Sequence, residues 1–542
     1  MELAVTEAVT PDVVFHGGPE PEPRSRDVRE VSSSAAGARF ANRSDITHHQ
    51  GRYTLINKGL TPHEAMVEDL LFVREVLESA GLRYMLVRGN DARPVVAIDW
   101  ADRKRLREAL VAACQTEPFY AMAVDSKKSE AVLVSDGKIS PSKSSRMIRL
   151  YRPRLDPAGG LSYGQGTGVQ IELWRWEGQE LHLPIENSVT RRRLPAEEAV
   201  RGTVERFGHT WPTIENMFAD HATDIRFEID VVFSWVDGNN KDFQRYRASF
   251  MENAVVGEGD DAEARFRQIN ELKYALRSIH MFAPWVRRIY ICTDSPVPAW
   301  LNEEHEQIRI VRAADHFEDT SVLPVFNSQA IEAQLQNIEG LSEHFLYSND
   351  DMFLGRPLGP DMFFSPGGIT KFIEADTRIG LGDNHLDRSG FENAARVNRR
   401  LLFERFGRIT TRHLEHTAAP LRVSVLKEMR QEFAEEFIQT SASRFRQKDN
   451  ISVTNSLYHY YTLLTGRSVQ KVGAKVTYVD TTMYSGLKTL EKLLRKRNQD
   501  FFCLNDGSFP EVPAQERQER VVGFLEAYFP FPAPWEKETT TG

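Results

Sequence analysis

Apolar runs and helical periodicity alternate along the second half of the chain. Three short, mostly apolar runs predict buried strands, at 227–238, 286–295 and 344–351. Apolar residues at helical spacing predict helices between these strands, at 269–282 and 327–338. Strands that alternate with helices in this way are typical of a mostly parallel sheet covered by helices. The pattern therefore predicts an α/β unit in this part of the chain.

Polar residues follow each of these predicted strands. Asp237 follows the first strand, Asp294 the second, and Asn349, Asp350 and Asp351 the third. The carboxyl ends of parallel strands meet at one edge of a sheet, so we expect these side chains to converge there. Neighbouring carboxylates either bind a divalent cation that also contacts a diphosphate, or cap a turn. The shared edge favours the metal or sugar-nucleotide interpretation.

Two further acidic candidates each have a structural alternative. The run 501–509 predicts a strand that ends in Asn505 and Asp506, and this would bring Asp506 to the same edge. An ordinary Asn-Asp-Gly turn has the same sequence. Glu271 begins a predicted helix, where a carboxylate either complements the helix dipole or points into a site. The spacing alone favours the interpretation in which Glu271 complements the helix dipole.

Three basic side chains are also candidates. His416 precedes a predicted helix, and a lone histidine is more often structural than catalytic. Arg444 and Arg446 lie beside a polar turn, where arginines either bind phosphate or stay solvated. The residues alone leave both alternatives open.

The ends and the first half of the chain differ in composition from this unit. Residues 1–45 are rich in Pro, Glu, Ser and Arg, which predicts disorder. Residues 50–215 carry strand and helix patterns that predict a separate α/β accessory domain, in which we recognise no catalytic constellation. Residues 511–542 are predicted to form a partly disordered C-terminal extension, in which the last residues, "PWEKETTTG", have the composition of disordered chain. A chain of 542 residues is long enough for two or three domains.

Composition excludes several functional classes. The net charge of −9, with no long basic block, argues against nucleic-acid binding. Cys114, Cys292 and Cys503 form no CxxC pair, which argues against a zinc site or a disulfide framework and fits a reducing compartment. We find no signal peptide and no apolar run of the roughly 18–20 residues that span a bilayer. These features predict a cytoplasmic protein, and they are compatible with peripheral association at the inner membrane face.

Four segments taken together resemble the Stealth family of sugar-phosphate transferases. They are 229–240, 265–355, 416–450 and 500–509, which include "IDVVFSWVDGNN", "FLYSNDDMFLG", "HTAAPLRVSVLKEMRQEF" and "DFFCLNDGSF". The family includes bacterial capsule and exopolysaccharide hexose-1-phosphate transferases, and the catalytic subunit of an animal N-acetylglucosamine-1-phosphotransferase. The resemblance implies a glycosyltransferase-A-like, Rossmann-like catalytic domain over 225–510. It also implies a nucleotide-sugar donor, a saccharide acceptor and Mg²⁺ or Mn²⁺.

The resemblance also implies roles for individual residues. The family's acidic pair falls on Asp350 and Asp351, and its last aspartate falls on Asp506; these three would bind the metal. Its glutamate falls on Glu271 within "ELKYALRS", and its histidine falls on His416. Some members carry an aspartate where this chain has Gln268, and others have "HxPH" where it has "HTAAP". Whether His416 or Glu271 takes the acceptor proton therefore stays open.

The implied reaction is attack of a sugar hydroxyl on the β-phosphorus of a nucleotide sugar. It forms a phosphodiester and releases a nucleoside monophosphate, as in capsule or exopolysaccharide synthesis. The family's arginine falls on Arg446, which would bind a phosphoryl oxygen. The remaining predicted substrate contacts are Asp237, Asp294, Asn349, Arg444 and Asn505. The alternatives are a metal-dependent glycosyltransferase and a non-catalytic sugar-nucleotide-binding protein, and the sequence is compatible with a homo-oligomer.

Overall fold

The computed structural model describes residues 39–126, 130–140, 142, 144–251, 269–507 and 510–537. The chain divides into two compact units, one ending at Asp220 and the other beginning at His221. Each unit has its own sheets and its own buried core.

The first unit is an α/β structure built mainly from antiparallel strands. Its strands are β1 Ile46–His49, β2 Arg52–Ile56, β3 Tyr84–Val87, β4 Val95–Asp99, β5 Tyr120–Ala123, β6 Val132–Leu133, β7 Met147–Tyr151, β8 Arg154–Leu155, β9 Ser162–Tyr163, β10 Val169–Glu177, β11 Glu180–His182, β12 Arg193–Pro195, β13 Arg201–Arg206 and β14 His209–Ile214. Its helices are α1 Pro62–Ser79 and α2 Arg103–Ala113. The main sheet has the order β12-β11-β10-β7-β5-β6, and β4 pairs with both β10 and β3.

Helix α1 shows how local sequence produces this unit. Thr61 and Glu64 cap its first turn reciprocally, and Pro62 occupies the first helical position, where no backbone N–H is needed. Leu70, Val73 and Leu77 form its buried face against the main sheet.

The prediction that residues 1–45 are disordered needs correction for its last part. Phe40 is buried with Tyr120 and Tyr151, and Arg43 forms ion pairs with Asp45 and Glu117. An aromatic anchor and paired charges therefore hold 39–45 on the first unit, against the bias of the composition. Residues 1–38 lie outside the described part of the chain.

The second unit contains a mostly parallel sheet and a smaller second sheet. Its strands are β15 Ile229–Ser234, β16 Ile289–Cys292, β17 Ile308–Val311, β18 His344–Asn349, β19 Met352–Leu354, β20 Thr370–Phe372, β21 Glu374–Arg378, β22 Arg412–Leu414, β23 Ala419–Arg422, β24 Ser468–Gln470, β25 Val476–Asp480 and β26 Phe501–Asn505. Its helices are α3 Lys241–Ala248, α4 Glu271–Phe282, α5 Ala313–His316, α6 Ser328–Glu332, α7 Gly390–Phe406, α8 Val423–Glu432, α9 Ala434–Ser441, α10 Tyr458–Leu464, α11 Tyr484–Lys496 and α12 Ala514–Tyr528.

The central sheet has the strand order β17-β16-β15-β18-β23. The first four strands run parallel, and β23 joins β18 antiparallel. The chain builds outward from β15 to β17 and then returns to the other side of β15, where it forms β18. Such a reversal opens a crevice at the carboxyl ends of the two adjacent strands. The predicted α/β class, with a mostly parallel sheet, is confirmed.

The second sheet has the order β19-β26-β25 and packs against α4. Ser278 on α4 accepts a hydrogen bond from the Leu354 backbone N–H. The predicted helix over 327–338 is shorter than expected: α6 ends at Glu332, and a separate turn covers 335–337. The polar residues Gln334 and Gln336 are buried beyond α6.

The C-terminal segment also packs more closely than its composition suggests. Trp535 is 2% exposed, and Glu536 forms an ion pair with Arg277 of α4 at 2.6 Å. The predicted disorder of "PWEKETTTG" is therefore corrected for 534–537, while 538–542 lie outside the described residues. Within the described ranges, no helix combines the length and the apolar character required to cross a bilayer.

Candidate active site

The acidic pair lies in the connection between the two sheets of the second unit. Strand β18 ends at Asn349 and β19 begins at Met352, so Asp350 and Asp351 alone join them. The Asp351 carbonyl accepts a hydrogen bond from the Leu504 N–H of β26 at 2.9 Å. The acidic pair is therefore held at the carboxyl edge of the central sheet by backbone pairing on both sides.

This edge opens into a cleft of about 870 Å³. Segments that are far apart in the sequence supply its walls. The cleft is lined by these residues from the predicted site: Asp294, Asn349, Asp350, Asp351, His416, Arg446, Asn505 and Asp506. The folded chain thus brings polar groups from distant segments to one cavity.

A group of carboxylates with mutual repulsion lies at the base of the cleft. Burial raises the pKa of Asp351 to about 7, and the charges of Asp350 and Asp506 add to the effect. Burial and then the charge of Asp350 raise the pKa of Glu271 to about 8. Glu271 itself is not among the lining residues; its carboxylate accepts a hydrogen bond from the Ile269 N–H at 2.7 Å.

Asp351 has one carboxylate oxygen without a hydrogen bond from any described residue. Its Oδ1 is buried and unpartnered, while its Oδ2 lies 3.5 Å from Cys503 Sγ. A buried carboxylate oxygen with no donor is destabilising unless a ligand or a cation satisfies it. The residues therefore fit a hard divalent cation. No three His, Cys, Asp or Glu side chains in the described ranges form a complete metal-binding group on their own.

Asp506 is positioned by neighbours in the second sheet and the last helix. Its Oδ1 accepts hydrogen bonds from Thr481 Oγ1 at 2.7 Å and from Arg517 at 2.9 Å. The next residue is Gly507, where a Cβ atom would clash with the Asp480 carboxylate. Asp506 follows β26 directly and lines the cleft.

His416 lies on an aromatic wall of the cleft. Its ring centroid is 5.9 Å from that of Phe391 and 5.3 Å from that of Tyr478. Burial lowers the pKa of His416, so its imidazole is neutral at pH 7. Neither ring nitrogen hydrogen-bonds to a residue in the described part of the chain. A neutral imidazole of this kind can accept a proton from a bound hydroxyl.

Arg446 reaches the cleft from the loop after α9. Its guanidinium donates to Ser328 Oγ, at the start of α6, over 3.0 Å. The loop is fixed by Asn450, whose Oδ1 accepts hydrogen bonds from the Gln447 N–H and from the Asn327 side chain. The turn that carries Arg446 is therefore held in place by hydrogen bonds within the turn and to Asn327.

Two predicted substrate contacts lie outside the cleft lining. Asp237 accepts a hydrogen bond from the Asn239 N–H at 3.1 Å, an arrangement that closes the turn after β15. Arg444 donates to the Pro324 carbonyl at 3.0 Å and stacks over the Phe250 ring at 4.4 Å. Asp237 is engaged in its own turn and Arg444 by residues distant in the sequence, and neither is among the residues that line the cleft.

Sequence reasoning did not single out several cleft residues. Ser234, at the end of β15, donates to Asn349 Oδ1 at 3.3 Å, and Tyr478 of β25 hydrogen-bonds to Asn505. The apolar run that ends in Asp480 is a strand signal that could have identified Tyr478. Phe391 carries no such signal, because its role depends on where α7 packs.

Comparisons with known proteins decide the family. Family models for Stealth protein conserved regions 2, 3 and 4 match residues 265–372, 415–463 and 491–541. The "Exopolysaccharide phosphotransferase CpsY" of Mycobacterium tuberculosis (strain ATCC 25618 / H37Rv) is 58% identical over 508 residues, which is 93% of this chain and 95% of the relative. This chain belongs to the Stealth family. The resemblance predicted from the sequence is confirmed, and the predicted enzyme class is confirmed with it.

Relatives from other organisms carry the same enzyme name. An "Exopolysaccharide phosphotransferase" of Nocardia farcinica is 52% identical over 478 residues, 88% of each chain. "Exopolysaccharide phosphotransferase SCO2592" of Streptomyces coelicolor is 37% identical over 500 residues, 90% of this chain and 52% of the relative. Three of the four Stealth-like segments, all but 229–240, fall within the matched regions.

Solved structures show a weaker likeness to this Stealth chain. The galactosyltransferase LgtC matches with a TM-score of 0.27 and 14% identity, over 55% of this chain and 95% of that chain. The bifunctional glycosyltransferase WbbM matches with a TM-score of 0.27 and 11% identity, over 55% of this chain and 50% of that chain. These TM-scores are too low to support an inference about donor or acceptor.

Proposed function

We propose that the chain transfers a sugar-1-phosphate from a nucleotide sugar, a UDP-hexose or UDP-N-acetylhexosamine, to a hydroxyl of a saccharide acceptor. The reaction forms a phosphodiester of an exopolysaccharide and releases a nucleoside monophosphate. The observation that carries the proposal is the single cleft in which Asp350, Asp351, His416, Arg446 and Asp506 meet. The names of the Stealth relatives support the same reaction class.

The proposed proton acceptor is His416. Its imidazole is kept neutral by burial, and the acceptor hydroxyl would hydrogen-bond to a ring nitrogen that no described residue occupies. Glu271 suits this role less well, because a carboxyl with a pKa of about 8 still holds its proton at pH 7. As the hydroxyl attacks phosphorus, the imidazole takes its proton and the resulting charge remains buried beside Phe391 and Tyr478.

The proposed phosphate ligand is Arg446. Charge develops on the phosphoryl oxygens during the transfer, and a guanidinium stabilises it with charge-assisted hydrogen bonds. Ser328 and the turn around Asn450 fix the direction of the side chain before the donor binds. Such pre-organisation avoids the cost of ordering a long side chain during the reaction.

The proposed cation would be held by Asp350 and Asp351. Mg²⁺ or Mn²⁺ at this position would neutralise charge on the donor diphosphate. Magnesium sites often use one or two carboxylates and complete their coordination with substrate phosphate and water, so a three-residue group is not required. Asp506, whose Oδ1 is engaged by Thr481 and Arg517, contributes negative potential and positions the cleft edge.

The released nucleotide tests the reaction. The purified full chain is incubated with Mg²⁺, UDP-N-acetylglucosamine or UDP-glucose, and a hexose disaccharide acceptor. We expect UMP in the nucleotide fraction and a new phosphodiester signal in the ³¹P NMR spectrum. Release of UDP would instead identify a metal-dependent glycosyltransferase. Donor binding by calorimetry without any turnover, with Mg²⁺ or Mn²⁺, would identify a sugar-nucleotide-binding protein.

A further inference from the structure

The first unit contains an open groove of about 660 Å³ that the proposed phosphotransfer does not use. One wall is the hairpin β13–β14, and the other is the surface of the main sheet at β3, β4 and β10. Met85, Ala97 and Trp174 form an apolar floor. The Trp174 indole N–H donates to Glu172 at 2.9 Å, so the floor offers no unsatisfied donor there.

Two charged side chains and an exposed aromatic side chain also line the groove, beside this apolar floor. Side chains alternate between the two faces of a strand, so residues two positions apart share a face. Arg83 immediately precedes β3, two positions from Met85, and Asp99 ends β4, two positions from Ala97. Trp176 of β10 lies two positions beyond Trp174, which is itself the register partner of Asp99. The groove therefore combines an apolar floor with a cation, a carboxylate and an exposed indole ring.

The side chains of Arg83, Asp99 and Trp176 are available to a ligand. Trp176 is 47% exposed, which is unusual for so large an apolar ring. The side chains of Arg83 and Arg201, both exposed, form no hydrogen bond or ion pair within the described ranges. Asp99 uses one oxygen to accept a hydrogen bond from the Ala101 N–H at 2.9 Å. An exposed indole beside two arginines that are not neutralised is typical of a recognition surface.

We propose that this groove binds a saccharide chain that carries phosphodiesters. The flat face of an indole packs against the apolar C–H face of a pyranose ring. Arginines bind a phosphodiester through charge-assisted hydrogen bonds, and a carboxylate accepts hydrogen bonds from sugar hydroxyls. The volume suits a few sugar residues, because sites for small ligands measure about 300–1,000 Å³.

The identity of this ligand rests on the proposed function, since a phosphodiester-linked saccharide is the product of that reaction. Two arginines against one aspartate give the groove a net positive charge, which favours this product over a neutral glycan. An enzyme that holds its own product on a second site raises the local concentration of that chain for the next transfer. The groove would therefore favour long acceptors over single sugars.

Calorimetry with the full chain tests the groove directly. The probe is a synthetic saccharide of three hexoses joined by phosphodiesters, compared with a glycosidically linked trisaccharide without phosphate. We expect Trp176→Ala to weaken binding of the phosphorylated probe by about threefold to tenfold. The double change Arg83→Gln and Arg201→Gln should weaken it by about tenfold or more. Trp176→Phe, which keeps an aromatic face, should retain most of the binding.

A matched control removes two other exposed arginines of the first unit, as Arg191→Gln with Arg192→Gln. This control should bind the probe as the unchanged chain does. Equal weakening by the control, or unchanged binding in Trp176→Ala with an unchanged thermal midpoint, would overturn the proposal. Equal affinity for the trisaccharide without phosphate would also overturn it, because the arginines would then have no role.

Turnover separates this proposal from the proposed function. With a disaccharide acceptor, Trp176→Ala should release UMP at the rate of the unchanged chain, while KM for a long phosphodiester-linked acceptor should rise. UMP release with no change in probe binding would overturn the groove and leave the phosphotransfer intact. Probe binding that depends on Trp176 in a chain that releases no UMP would overturn the phosphotransfer and support a saccharide site.

Discussion

Replacement of Asp351 by Asn should stabilise the folded chain at alkaline pH while it removes activity. Burial and the charge of Asp350 raise the pKa of Asp351 from 3.8 to about 7, and Oδ1 of Asp351 has no donor among the described residues. Because one pKa unit corresponds to about 1.4 kcal/mol, ionising this carboxyl in the folded state costs about 4 kcal/mol.

The pH dependence follows from the direction of this shift. Below about pH 4 the carboxyl is protonated in both states and has no differential effect on stability. Between about pH 4 and 7 the folded state keeps its proton while the unfolded state loses it, so stability falls as pH rises. Above about pH 7 the full penalty is present. The neutral amide of the Asp351→Asn variant avoids this penalty, so the gain in stability should appear at pH 8 and vanish near pH 4.

The assay is the thermal midpoint of the second unit at pH 4.5 and pH 8, in EDTA so that no divalent cation compensates the charge. Asp383→Asn is a matched control, because that aspartate is exposed and its carboxylate pairs with no described residue. We expect the midpoint of Asp351→Asn to rise much more at pH 8 than at pH 4.5, where most of the penalty is absent, and no change for the control. A midpoint that falls by the same amount at both pH values would refute the repulsion and show that the carboxylate is a structural acceptor.

Three further predictions test other contacts. His416→Gln should lower kcat by about 10²–10⁴-fold with little change in donor affinity by calorimetry, and unchanged turnover would exclude it as the base. Arg446→Lys should lower kcat/KM by more than about tenfold, whereas Arg444→Lys, a matched change outside the cleft, should have a small effect; the reverse order would contradict the assignment. Glu536→Gln should lower the thermal midpoint, because it leaves the buried Arg277 charge uncompensated at a cost of about 3 kcal/mol, and an unchanged midpoint would show that this ion pair does not stabilise the second unit.

Much of the site could be predicted because parallel strands align their carboxyl ends. Asp294, Asn349, Asp350 and Asp351 follow apolar runs directly, and each lines the cleft. The same rule did not place Asp237 there, because β15 ends at Ser234 and the chain turns before it reaches the aspartate. Distance from the strand end decides which side chain reaches the edge, and hydrophobic patterning locates that end only within a few residues.

Other features depended on tertiary contacts that no local pattern encodes. The pairing of Arg517 with Asp506 joins the last helix to the second sheet, and neither side chain signals its partner. Segments 39–45 and 534–537 have the composition of disordered chain, yet Phe40 and Trp535 anchor them. Two buried rings are enough to reverse the prediction, because composition averages over a window and burial acts on single residues.

The connection between β18 and β19 limits how the cleft can open. Its two residues carry both acidic side chains, and each flanking strand is hydrogen-bonded into a different sheet. A link this short cannot serve as a hinge without displacing the carboxylates themselves. The two sheets are therefore coupled through the acidic pair, so that any relative motion of these sheets would change the position of the two carboxylates in the cleft.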